Sequence, residues 1–346
     1  MSHLYDEIHQ QPEVIARLIH EESRTIAHIA DSLRQRELRY ILIAARGTSD
    51  NAATYGKYLF ASILRLPVAL AAPSLYTIYH TPPHTGKDAL VIGISQSGES
   101  PDIIAVVNEA RQQGACTLAI TNEPDSPLAR TAEYAIICHA GKEMSVAASK
   151  TYTAQLTALA LLAAYWSGDE QRKSQIQYLP EAVSKTLTIA NDVRSRVERY
   201  RYMETCLILG RGYNYATAFE IALKMKELSY VLIEAYSSAD FMHGPIAVVE
   251  QGFPVILIAP SGEVYADMLN LACELHGKGA ELIAISDQRE ALDLAVTPLK
   301  LPVTVPEWLS PITCVIPGQL LAHDLTLAKG YDPDHPRGLR KITLTH

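Results

Sequence analysis

The chain repeats itself. Tyr40–Arg46, YILIAAR, is an apolar run that feeds Gly47 and then a helix-like stretch, and Cys206–Arg211, CLILGR, feeds Gly212 and another. The next landmarks recur as well: Ser97-Gly98-Glu99 follows LVIGISQ, and Ser261-Gly262-Glu263 follows PVILIAP. Gly47 to Ser97 is 50 positions and Gly212 to Ser261 is 49. In both copies a helix-like stretch comes next, then a glycine (Gly114 or Gly279), then a further apolar run, CTLAITN or ELIAISD. Two copies of one α/β unit, offset by about 165 residues, account for a length of 346 that exceeds one typical core.

Continuous Val/Ile/Leu runs alternating with helical segments predict α/β architecture, with parallel strands covered on both faces and right-handed crossovers. Ligands in such sheets sit beyond the carboxyl ends of the strands, which makes RGTSD, SQSGES, GRGYN and APSGE the informative loops. The expected domain organisation is a helical lead over 1–35, a first domain over 36–165, a helical bridge over 166–200, a second domain over 201–330 and a tail over 331–346.

Composition narrows the function classes. With 48% hydrophobic and 20% charged residues the chain has globular composition. Thirty Lys and Arg against 38 Asp and Glu leave a formal net charge of −8, which repels nucleic acid and anionic lipid at long range. A small phosphorylated metabolite stays open, because a local site holds it. Five scattered cysteines without a CxxC argue against a disulfide framework or a zinc ribbon and for a reducing compartment. The charged N-terminus lacks an apolar signal core, and Leu156–Trp166 is about half a membrane span, so a cytoplasmic protein is expected. No metal or cofactor is expected; Pro82-Pro83 keeps a regular helix from aligning His80 and His84 as ligands.

Two constellations carry chemistry. ISQSGESPD ends a strand with Ser95, Gln96, Ser97 and Ser100 crowded around Gly98, and Pro101 suits a first helical turn. Hydroxyls, an amide and free N–H groups at a helix N-terminus make an anion site that needs no Lys or Arg. Thr48 and Ser49 come off a neighbouring strand, whereas the matching second loop, Ala259-Pro260-Ser261-Gly262, has lost most of its hydroxyls. In EIALKMKELSY, Glu220, Lys224 and Glu227 fall at i, i+4 and i+7. That spacing fits a solvated ladder equally well. A buried Lys beside two carboxylates would instead tune Glu227 as a general base. His243, in the loop HGP, stands alone between His139 and His276.

SQSGES, ALKMKELSY, EAYSSADFMHGP and the tail KGYDPDHPRGLRK, in this order and spacing, resemble the double sugar isomerase (SIS) domain of the isomerase half of glucosamine-6-phosphate synthase. The resemblance covers essentially the whole chain. It implies two tandem parallel-sheet α/β/α sandwiches of flavodoxin type. It further implies phosphate binding by Ser49, Ser95, Gln96, Ser97 and Ser100, with a backbone contact from Val146. Glu227 matches the proton-shuttling Glu, His243 the ring-opening His, Lys224 the helix lysine and Lys341 the tail lysine that reaches the sugar carbonyl. In the family the histidine comes from the neighbouring subunit, so a homodimer is implied.

The synthase carries a glutaminase domain with a cysteine immediately after Met1, whereas this chain has Ser2. Ammonia production from glutamine is therefore not expected. RGTSDNAATYGKYLF, ISQSGESPDI and FMHGP look closest to the glutaminase-less type II glucosamine-6-phosphate deaminases. The expectation is conversion of glucosamine 6-phosphate to fructose 6-phosphate and ammonia. The alternatives are a related isomerase, ammonia-dependent synthesis, deglycation of a 6-phosphorylated sugar–amine adduct, or a non-catalytic sugar-phosphate sensor.

Overall fold

The computed structural model describes residues 2–339 and residue 341. By internal contacts the chain divides into two compact units. One comprises residues 11–143 and 150–180 and the segment holding Lys341; the other comprises residues 2–10, 144–149 and 181–339.

The first unit is built on a five-stranded sheet of β1 (Tyr40–Ala44), β2 (Val68–Leu70), β3 (Ala89–Ile94), β4 (Cys116–Thr121) and β5 (Tyr134–Ile137), in the order β2-β1-β3-β4-β5. Every pairing is parallel. β3 and β4 are buried on both faces, which is why ALVIGI and CTLAIT read as continuous apolar runs rather than alternating ones. The second unit repeats the plan with β6 (Thr205–Gly210), β7 (Leu232–Ser237), β8 (Pro254–Ile258), β9 (Glu281–Ser286) and β10 (Thr297–Lys300), in the order β10-β9-β8-β6-β7, again all parallel. Renumbered from its own first strand, this is the same 2-1-3-4-5 order. Both sheets therefore have the flavodoxin-like arrangement, with its switch point between the first and third strands.

Each unit is also threaded by one mainly apolar helix that is buried on nearly every side. In the first unit it is Lys150–Ser167, buried except at Tyr165 and Ser167, packed against the helices Gln11–Arg34 and Thr48–Leu64. In the second it is Ser310–Ala328, packed against the helices Ala190–Val197 and Asn214–Leu228. The duplication thus extends beyond the repeated strands to the helix that enters each sheet and the helix that leaves it. The run Leu156–Trp166 belongs to such a core helix, and among the described residues no helix is long and apolar enough to cross a membrane.

Candidate active site

The serine turn begins where β3 ends. Ser95 N–H still donates to Ile120 O of β4, after which the chain reverses through Gly98, at φ +64°. Gly98 N–H donates to both the carbonyl and the hydroxyl of Ser95, each at 3.2 Å. A Cβ at Gly98 would lie 2.2 Å from Ser126 Oγ, so only glycine fits this turn. Ser100 then opens the helix Pro101–Gln112 with extended backbone, yet its hydroxyl makes no cap; it lies 3.1 Å from Ser95 Oγ instead. Ser97 Oγ accepts from Glu99 N–H at 3.3 Å, and the Gln96 carbonyl accepts from Asn122 N–H at 3.0 Å. The helix start is thus ringed by hydroxyls; Ser100 supplies no side-chain cap, Pro101 has no N–H, and Ile103 N–H is taken by the carboxylate of Asp102 at 3.0 Å.

β1 lies between β2 and β3, so the loop after β1 stands beside the serine turn at the switch point of the first sheet. Thr48 opens the helix Thr48–Leu64, whose N-cap, Gly47, supplies no side chain. Ser49 is buried and accepts from Gln155 Nε2, on the buried helix, at 3.0 Å. Sequence reasoning missed Gln155 because nothing local ties it to a loop 106 residues away.

The second copy has the same cradle, filled by the protein's own carboxylates. Ser261 donates to Asp287 through its N–H and its hydroxyl, each at 2.7 Å, and Thr304 Oγ1 donates to the same carboxylate at 2.6 Å. Burial pushes the Asp287 carboxyl up, but the hydrogen bonds from Thr304 and Ser261 together outweigh it and hold the group below the usual aspartate range. At the start of the helix Tyr265–Gly277, Glu307 accepts from Glu263 N–H at 2.9 Å and from Val264 N–H at 3.4 Å. The loss of hydroxyls from APSGE therefore has a counterpart in two inserted negative charges. The first turn is lined mainly by hydroxyls, with Asp102 on one helix N–H, where the second is held by two carboxylates.

On the helix Asn214–Leu228 the row of charges is not a wet ladder. Lys224 and Glu220 are 2% and 0% exposed in their side chains and Glu227 is 24% exposed. Lys224 Nζ lies 2.6 Å from Glu227 Oε2 and 3.6 Å from Glu220 Oε1. Small residues Ala216, Ala218 and Ala222 on this helix are buried with them. Gly318 lets the buried helix approach closely, since a Cβ there would lie 2.3 Å from Ile221 Cδ1.

The remaining candidates are spread out. His243 ends the short helix Ser238–Met242, is exposed, and among the described residues its ring makes no hydrogen bond, to Glu227 or to any other group. Val146 is half-buried in a stretch held by Glu7, whose carboxylate accepts from the N–H groups of Met144 and Ser145. Lys341 Nζ lies 3.1 Å from Glu143 Oε2, a buried carboxylate that also accepts from Thr151 N–H and Thr151 Oγ1 at the start of the helix Lys150–Ser167. The sequence carried no signal for Glu143. Upstream, Arg337 stacks over Tyr230 at 3.8 Å and its N–H donates to the Tyr230 hydroxyl at 2.8 Å, which ties the tail to the end of the Lys224 helix. Arg340 and residues 342–346 of the expected tail lie outside the described residues.

Cysteine chemistry has no foothold at these loops. All five thiols are free, and burial pushes Cys116 and Cys206 up to about 12 and Cys138 and Cys314 in the same direction. Among the described residues no group of three or more His, Cys, Asp or Glu is placed to hold a metal ion.

Twin parallel sheets of flavodoxin order, one with a hydroxyl-lined turn at its switch point and one whose matching turn is held by internal carboxylates, define a duplicated α/β protein. The chain belongs to the SIS domain family, whose model matches residues 33–165 and 202–327. It is 37% identical over 345 residues to the glutamine–fructose-6-phosphate aminotransferase (isomerizing) of Thermococcus kodakarensis, an alignment covering 97% of this chain and 56% of that protein. The chain thus spans a little over half the length of the curated relatives it matches. A solved structure from Silicibacter pomeroyi DSS-3, with the provisional name phosphosugar isomerase, superimposes with a TM-score of 0.87 at 32% identity over 96% of this chain and 100% of that one. The C-terminal domain of the glucosamine-fructose-6-phosphate aminotransferase of Francisella tularensis does so with a TM-score of 0.85 at 27% identity, over 97% and 98%.

Proposed function

We propose that the protein is an enzyme acting on a phosphosugar by moving a proton between C1 and C2, and that its substrate is glucosamine 6-phosphate, converted to fructose 6-phosphate and ammonia. The observation that carries this reading is the buried lysine: Lys224, shielded from water and 2.6 Å from Glu227, holds a partly exposed carboxylate in place on a helix that starts at the carboxyl end of β6. A solvated ladder has no use for a dry ammonium, because burying charges costs more than an exposed pair returns. Family membership and the names of the relatives above support a sugar phosphate as the substrate.

In this reading Ser95, Ser97 and Ser100, with Gln96, Thr48 and Ser49, bind the phosphate, and Val146 adds a backbone contact. His243 moves the proton that opens the pyranose ring. Glu227 takes the proton from C2 of the open aldehyde while O1 is protonated by solvent, giving an enolamine; return of the proton to C1, with an N–H proton released to solvent, leaves an imine at C2. Water adds to that imine and ammonia leaves, so that C2 becomes the ketone of fructose 6-phosphate. Acid–base groups so used contribute about 10²–10⁴-fold each. Lys341 stabilises the oxyanion that develops at the carbonyl.

The reading includes a homodimer in which each chain lends His243 to its neighbour. An exposed histidine ring without a hydrogen-bond partner among the described residues supports this. Mixing inactive Glu227→Gln chains with inactive His243→Asn chains then restores turnover; mixtures that stay dead rule out the shared site.

The direct test supplies glucosamine 6-phosphate and assays ammonia and fructose 6-phosphate, with galactosamine 6-phosphate and phosphorylated glycation adducts in parallel. Turnover of an adduct alone would make the protein a deglycase, and binding without turnover of any of them would make it a sensor.

A further inference from the structure

We propose that Arg46 is a specificity-determining residue of the serine cradle, whose guanidinium reads the second negative charge of a phosphate monoester. The proposal rests on the reading of that cradle as a phosphate site, and it adds a cation to a site otherwise made of hydroxyls, an amide and N–H groups.

Arg46 follows β1 at the switch point, beside the serine turn. Its Nε donates to Asp102 Oδ2 at 2.7 Å, and Asp102 Oδ1 accepts from Ile103 N–H at 3.0 Å. Asp102 is 0% exposed, whereas the Arg46 side chain is 48% exposed. One edge of the guanidinium is therefore clamped to a carboxylate whose two oxygens are both engaged. Among the described residues the Nη groups donate to nothing. A planar fork with one donor used and the others in solvent is pre-organised for a bidentate oxyanion.

The clamp fixes where that fork sits. Asp102 is two residues past Ser100, the residue that opens the helix Pro101–Gln112. One helical turn rises about 5.4 Å, so the anchor lies in the first turn of that helix, beside the serine turn. The charge is felt on Arg46's own loop as well. Burial pushes the Asp50 carboxyl up and Arg46 draws it back down. Arg46 is also the sole Lys or Arg in RGTSD and SQSGES.

Hydroxyls and backbone N–H groups offer only partial charges to the ligand, whereas a guanidinium adds a full positive charge and favours the dianion more strongly. Phosphate monoesters pass between these forms near pH 6, so the preference is readable by titration. The experiment measures the affinity of the full chain for fructose 6-phosphate by calorimetry from pH 5 to 8, with sulfate, a permanent dianion, as competitor. Wild type is expected to tighten as pH rises through about 6. At pH 7.5 Arg46→Gln is expected to bind at least about tenfold more weakly, with a flatter pH profile and weaker competition by sulfate. With glucosamine 6-phosphate as substrate, KM rises and kcat stays within about threefold, the signature of lost uniform binding.

Arg46→Gln leaves Asp102 buried without its partner, so the doubly neutral Arg46→Gln/Asp102→Asn variant is measured beside it. Its melting temperature reports the fold, and its affinity is expected to stay as weak as that of Arg46→Gln. Unchanged affinity and an unchanged pH profile in either folded variant overturn the role of Arg46 alone. Absence of binding of both fructose 6-phosphate and sulfate to wild type overturns the phosphate reading and this inference together.

Discussion

Lys224 Nζ lies between two carboxylates of its own helix, 2.6 Å from Glu227 and 3.6 Å from Glu220, and the two carboxylates differ in exposure. Glu220 is shut off from water and Glu227 is partly open to it. One acid is thereby a buried counter-charge and the other keeps part of its surface in solvent.

Glu227→Gln keeps size and hydrogen-bonding capacity but cannot take a proton. Turnover is expected to fall by at least about 10²-fold while fructose 6-phosphate still binds. Near-normal turnover in a steady-state assay would remove Glu227 from the chemistry.

Lys224→Met leaves Glu220 buried without its ammonium, a change that costs about 3–5 kcal/mol where a buried ion pair is broken from one side. Urea unfolding of the variant measures it. A loss below about 1 kcal/mol would mean that water reaches the triad and that the row behaves as an exposed ladder.

Asp287→Asn probes the closed cradle through pH. The folded carboxyl lies below its ordinary value of 3.8, so its contribution to stability is present above that value and is lost as pH falls through the depressed folded value. The variant is expected to be less stable than wild type at neutral pH and to lose less stability on acidification. Parallel stability profiles for the two proteins between pH 6 and pH 3 would show that Ser261 and Thr304 do not hold the charge.

Gly318→Ala inserts a methyl group where Ile221 already lies 2.3 Å from the ideal Cβ position. Alanine favours helix over glycine by roughly 1 kcal/mol, yet overpacking costs typically about 1–3 kcal/mol, so net destabilisation is expected. A thermal melt above that of wild type would show that the crossing of the two helices has slack.

The sheets were legible because burial on both faces writes itself into the chain as unbroken apolar runs. ALVIGI, CTLAIT and their second-copy counterparts could be strands of no other kind. SQSGES was legible for a related reason: a glycine at positive φ followed by Ser-Pro is a local instruction for a turn and a helix start, and the turn forms where that instruction stands. The buried helix Lys150–Ser167 was seen only as an apolar run, since a helix buried on nearly every side carries no periodic stripe to mark its ends.

What lay beyond the sequence shares one cause, which is that its partners are far apart in the chain. Arg46 and Asp102 are 56 residues apart, Ser261 and Asp287 are 26 apart, and Glu143 and Lys341 are 198 apart. Each of these residues has an ordinary local explanation, as a loop charge or a helix-start acid, until the sheet order sets it beside its partner. Spacing along the helix likewise put Glu220, Lys224 and Glu227 on one face without saying whether that face is wet. By itself, then, the amino-acid order determined the duplication, the strands and the turn that frames the cradle, because these depend on neighbours within a few residues. Only tertiary packing decided which charges are dry and which copy of the cradle stays open, because dehydration and the arrival of a distant carboxylate are properties of surfaces that exist after the chain has folded.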